Sequence, residues 1–133
     1  MRRWTVRIAD LAGPGSAADL LDRAPVAVAA RLLRIAQAAA DAGPLALGGG
    51  YVEAMHGDMA GWFEIRCTGP GREQYRLFAL LEATPAGSAI VLVAGLRKPH
   101  RSRFAPADYA RVRRLGDLHR CRQGERGRPP PER

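Results

Sequence analysis

The chain has 133 residues, of which 47% are hydrophobic and 26% charged, with a net charge of +8. This length and mixture fit one domain that can bury a core without metals or disulfides, residues 1–122, and argue against a disordered chain. No apolar run reaches the roughly 18 residues that a membrane span needs.

The two cysteines, Cys67 and Cys121, form no CxxC motif, so a disulfide framework is not expected and the expected compartment is the reducing cytoplasm. Residues 1–8 are too short and too mixed for a signal sequence. The charge is one-sided. Residues 1–60 carry six Arg and six acidic groups, whereas residues 61–133 carry 15 basic and seven acidic groups. A field of this kind attracts polyanions, and RNA is the expected one; the competing reading is a basic surface that only solvates the protein.

In chain order, Trp4–Ala9 alternates apolar and polar residues, as a half-buried strand does. Gly13-Pro14-Gly15 breaks it. Ser16 is an N-cap, and Asp19 three residues on can complete a capping-box-like start to a short helix over Ala17–Arg23. Pro25 separates this from a second helix, Val26–Ala42, with Val28, Leu32, Ile35 and Ala39 on one stripe. Gly43-Pro44 ends that helix, and Leu45–Gly50 is expected to be a loop.

From Trp62 the period becomes two. Strands are expected over Trp62–Cys67, Gln74–Glu82 and Ala89–Leu96, joined by turns at Thr68–Arg72 and Thr84–Ser88. The last strand is continuously apolar and therefore central. Residues 97–122 hold eight Arg and one Lys against Asp108 and Asp117. A helix is expected over Pro106–Leu118, with Gly116 breaking its end. The tail Gln123–Arg133, rich in Gly and Pro, is expected to be disordered. The fold class is therefore α+β: N-terminal strand, helical hairpin, three-stranded antiparallel meander and C-terminal helix.

Between Met55 and Arg114 the residues run MHGDMAGWFEIR, then QYRLFA, AIVLVAGLRK and PADYARVRR. This ordered set resembles the RelE/HigB-type toxins of bacterial type II toxin–antitoxin systems, in the phage-derived HigB-like branch of the RelE/ParE superfamily. Their pattern runs L-x-G, W/Y-E-x-R, Y-R-x-x-Y/F, an apolar strand ending G-F-x-K-K, then Pro and a helix. Here Leu96 stands for the aromatic, Arg97-Lys98 for the lysine pair, Pro99 follows at once, and the distance to Pro106 is longer.

The resemblance implies a RelE-like fold and an mRNA endoribonuclease acting on messages in the ribosomal decoding site. It also implies a cognate antitoxin of helix-turn-helix type as partner, with no membrane, no cofactor and no metal. Cleavage of this kind is attack by the ribose 2′-OH on the adjacent phosphate. It needs cations to neutralise the phosphate and groups to move two protons.

Guanidinium suits the phosphate because it is always charged and binds two oxygens at once. Arg66 and Arg76, mid-strand, would share a face beside Arg97 and Lys98 and form the phosphate-binding set. Arg66, Arg76, Lys98 and His100 are the candidate catalytic residues, with Arg97, Arg101, Arg103 and Tyr109 as RNA-binding residues. Lys98 is the single lysine. Tyr75, His100, Lys98 and Tyr109 are candidates for proton transfer, although Tyr75 alternates with core residues. A competing assignment pairs Arg66 and Arg76 with Glu64 and Glu82 on the sheet surface. His56 belongs to a turn, and His119, near the tail, is expected to be idle.

Three scattered His and two distant Cys give no zinc spacing, and no P-loop or GxSxG motif is present. Two alternative functions remain: a non-enzymatic gyrase inhibitor of the ParE kind, and a decayed toxin that binds RNA without cutting it.

Overall fold

Ser16 caps the first helix, its Oγ accepting the Asp19 N–H at 3.1 Å and donating to the Gly13 carbonyl at 2.9 Å. The Asp19 carboxylate turns outward to Arg23 Nε at 3.0 Å, so only the Ser16 half of the capping box forms. A computed structural model describes residues 4–44, 51–85 and 87–127. It consists of strand β1 (Trp4–Ile8), helices α1 (Ala17–Arg23) and α2 (Val26–Ala42), strands β2 (Val52–Ala54), β3 (Trp62–Thr68), β4 (Gln74–Thr84) and β5 (Gly87–Lys98), and helix α3 (Pro106–Gly127).

The architecture is α+β. The five strands form one mixed sheet in the order β1-β5-β4-β3-β2, with β1 parallel to β5 and the other neighbours antiparallel. Beyond the expected meander, β2 adds a short edge strand, and β1 closes the other edge.

Helices cover both faces of the sheet. On the first, Leu20, Val28, Leu32, Ala36 and Ala39 pack against Ile65, Tyr75, Leu77 and Leu92. Ile35 is only partly buried there, because Ala36 and Ala39 bring the α2 backbone close to the sheet. On the second face, Val112 of α3 joins Trp62, Phe78, Leu80, Val91 and Val93. Double coverage explains the unbroken apolar run of β5, which is buried from Ser88 to Leu96.

Two backbone features shape the basic face. In the β4–β5 ladder Phe78 pairs with Ala94 but Ala79 with Leu92, so Val93 is an extra residue on β5. Gly116, expected to end α3, lies inside it: a Cβ there would overlap the six-membered ring of the Trp62 indole. Glycine is therefore a packing requirement, and α3 carries on to Gly127, into the segment expected to lack structure. The expected loop Leu45–Gly50 and the end of the tail, 128–133, lie outside the described residues. Among the described residues no helix is long and apolar enough to cross a membrane.

Candidate nucleic-acid interface

Antiparallel pairing sets Arg66 of β3 directly opposite Arg76 of β4. Two like charges facing each other across a ladder repel, and a counter-charge beside them relieves the repulsion. Glu64, two residues before Arg66 and so on the same face, is buried. Its Oε1 accepts from Arg66 Nε and from Arg76 Nη1 at 3.2 Å. Glu53 of β2 takes Arg66 Nη2 at 3.1 Å. Arg76 is the more enclosed guanidinium, its side chain 16% exposed against 41% for Arg66. Burial lowers its pKa from the usual value, with the Glu64 carboxylate acting in the other direction. The guanidinium lies over the Phe104 ring at 5.1 Å, and its buried Nε has no hydrogen-bond partner among the described residues.

Gln74 ties this centre to the basic loop. Its Oε1 accepts from Arg76 Nη2 at 3.0 Å, while its Nε2 donates to the carbonyls of Pro99 at 3.1 Å and Ser102 at 2.9 Å. The held loop carries His100, Arg101 and Arg103, all exposed. A groove of about 250 Å³ runs past Tyr51, Arg66, Thr68, Gln74 and Arg76. Thr68 and Gln74 also line a second groove of about 540 Å³ with Arg72, His100, Arg101 and Ser102. Among the described residues Arg72 and Arg101 are the two non-glycines with positive φ, 60° and 66°. Left-handed backbone at an L-residue costs about 1–3 kcal/mol and concentrates at functional sites. Both instances fall on this groove.

The candidate residues divide accordingly. Arg66 and Arg76 meet as expected, with His100 and Arg101 on the adjoining groove. The acid between the two arginines is Glu64; Glu82 instead accepts from His119, at 2.6 Å. Lys98 shares the face of Gln74, its ladder partner, and its Nζ pairs with Asp108 Oδ2 at 3.1 Å. Arg97 does not join the set. Successive strand residues point to opposite faces, and Arg97 lies over Tyr75 at 5.3 Å with its Nε 2.5 Å from Glu73. The Arg97 guanidinium, followed by the Tyr75 hydroxyl, holds the Glu73 carboxyl below its ordinary pKa. Tyr75 is fully buried, as its alternation with core residues suggested. Tyr109 packs edge-on to Phe78, ring centroids 6.0 Å apart. Burial raises its pKa.

His119 is not idle. It is buried, and Gln123 Nε2 joins it on Glu82 at 2.7 Å. Arg122 Nη1 donates to the Asp10 carbonyl at 2.6 Å, so the end of α3 is fastened to β4 and to the chain after β1. Glu53, Gln74, Phe104 and Tyr51 were not among the residues expected at the site, whereas Glu64 was expected as an ion-pair partner of the two arginines and is one, though buried rather than on the surface. Gln74 had a signal, lying two residues from Arg76 on one strand. Phe104 had none, because only the chain's return places it on Arg76.

Asp108 gives this region a pH dependence. Burial works to raise its pKa, but the Ala105 N–H at 2.7 Å and Lys98 outweigh it and hold the carboxyl below its ordinary value. A lowered folded-state pKa contributes stability above the unfolded value, about 3.9 for Asp, and loses it as pH falls through the folded value. Asp108→Asn is therefore expected to lower the melting temperature at pH 7, with the difference from the parent shrinking below about pH 4. Paired melting curves from pH 7 to pH 2 check this; a constant difference would count against it.

Comparison of the chain with protein-family models, with curated proteins and with solved structures finds no match.

Proposed function

We propose that this protein is the toxin of a type II toxin–antitoxin pair, an mRNA endoribonuclease of the RelE/HigB type working on ribosome-held messages in the cytoplasm. The observation that carries the reading is the facing Arg66 and Arg76 on a solvent-open groove. A phosphate there can take hydrogen bonds from two guanidinium groups. Arg66 and Arg76 would neutralise the pentacovalent phosphate, and His100 on the adjoining groove is the candidate for proton transfer. The exposed Arg101 and Arg103 suit docking on ribosomal RNA, and Lys98 would reach phosphate on release from Asp108. A cognate antitoxin of helix-turn-helix type would have to cover this basic face to silence it.

A specific observation favours a second reading. Arg66, Arg76, Arg97 and Lys98 each hold a carboxylate, the resting state of a scaffold that binds without cutting, whether an inhibitor of DNA gyrase or a decayed toxin. The pairs at Arg66 and Arg97 are partly exposed, and such pairs contribute only about 0–1 kcal/mol, so a phosphate can displace them.

Induction of the protein followed by mapping of cellular mRNA 5′ ends separates the readings. Cleavage of translated messages, lost in Arg76→Ala, is expected. Growth arrest with intact messages would sink the nuclease reading, and a gyrase supercoiling assay would then test the ParE-like one.

A further inference from the structure

Phe104 has a second neighbour besides Arg76. With Met55, Met59 and Tyr109 it lines a cavity of about 350 Å³ between the turn at Gly57–Met59 and the start of α3. That volume lies within the range of small-molecule sites, about 300–1,000 Å³. Two rings and two thioethers make walls suited to a flat, polarisable group. Asp58 and Arg113 are the charged groups at the same cavity. Asp58 is exposed, and Arg113 Nη1 lies 3.6 Å from Met59 Sδ.

We propose that this cavity is a nucleobase subsite that takes a guanine of single-stranded RNA, next to the phosphate held by Arg76. The inference rests on the RNA reading and deepens it. The base is chosen by complementarity. Guanine carries two adjacent donors, N1–H and the N2 amino group, which match one carboxylate; its O6 and N7 acceptors match one guanidinium. Asp58 and Arg113 supply that acceptor and that donor. Adenine lacks the paired donors, and pyrimidines fill less of the cavity. Single-strandedness follows from the walls, since a base reaches Phe104 and Tyr109 only when unstacked from its neighbours. Phe104 borders both the cavity and Arg76, so base and phosphate would be neighbouring groups of one strand.

The test is binding of the full chain to fluorescent uridine hexamers carrying one central G, A or C, by anisotropy across a salt series. The G hexamer is expected to bind about tenfold tighter than the others, in line with one good bidentate contact. Asp58→Asn should reduce that preference to within about twofold while leaving the salt slope unchanged, since it touches base and not phosphate. Phe104→Leu, which keeps an apolar wall, should weaken all three hexamers through lost stacking. Equal, salt-dependent binding of the three hexamers by the parent would overturn the guanine subsite and leave the RNA reading standing. A G preference that survives Asp58→Asn would overturn the assignment of Asp58. Failure to bind any hexamer at low salt would overturn the RNA reading and the subsite with it.

Discussion

Glu64→Ala is expected to weaken folding by about 2–3 kcal/mol and, at the same time, to tighten binding of polyanions. The stability loss follows from what the carboxylate does. Glu64 is 6% exposed and accepts hydrogen bonds from both facing guanidinium groups. Removing one partner of a buried ion pair typically costs about 3–5 kcal/mol; the lower figure here reflects Arg66, whose freed charge water can still reach.

The gain in binding follows from the same geometry. Without Glu64, a phosphate is the natural counter-charge between Arg66 and Arg76. The plot of log binding constant against log salt for oligouridine should steepen by about one unit, as for one additional neutralised phosphate. Glu64→Gln keeps an acceptor oxygen and should show the same binding change with a smaller stability loss. Urea unfolding and anisotropy on one preparation read both effects. Lower stability with unchanged or weaker binding would mean that the arginine pair is structural and that anions bind elsewhere.

Gly116→Ala tests the packing that carries α3, and the sign of its effect is the reverse of the usual one. In an exposed helix interior the change stabilises by about 1 kcal/mol. Here the new methyl meets the indole of Trp62, itself 4% exposed among Met59, Phe78 and Leu80. Overpacking of this kind typically costs about 1–3 kcal/mol, and a net destabilisation of about 2 kcal/mol is expected. α3 contributes Asp108 and Tyr109, and the same misfit should loosen the Lys98–Asp108 contact. The double variant Gly116→Ala with Trp62→Phe should recover part of the loss, because the smaller ring leaves room for the methyl. Thermal melting of the four proteins in this cycle gives the coupling directly. A Gly116→Ala protein more stable than the parent would show that α3 does not rest on Trp62.

What the sequence could determine was local or periodic. The period-two alternation of Trp62–Cys67 and Gln74–Glu82 located two strands of the sheet and placed Arg66 and Arg76 on their outward positions. The stripe through Val28 and Leu32 located α2, and Pro25 its start. The continuous apolar run of β5 marked it as central, which coverage by helices on both faces bears out. The three residues of β2 were too few to set up a visible period.

Tertiary structure decided the composition of the site. Strict alternation from Val91, which faces α3, would put Arg97 on the face of Arg76 and turn Lys98 away. The extra residue at Val93 shifts that phase by one, so Lys98 is the residue that joins Gln74 and Arg97 the one that leaves. A bulge has no reliable signature in an apolar run, because every residue there suits either face. The same holds for Gly116, a helix breaker by local propensity but here a close-contact point against an indole 54 positions away in the chain. The basic excess of the second half was legible in the residues themselves. Which cations face one another, and which acid sits between them, depended on strand register, and register is set by contacts between residues far apart in sequence.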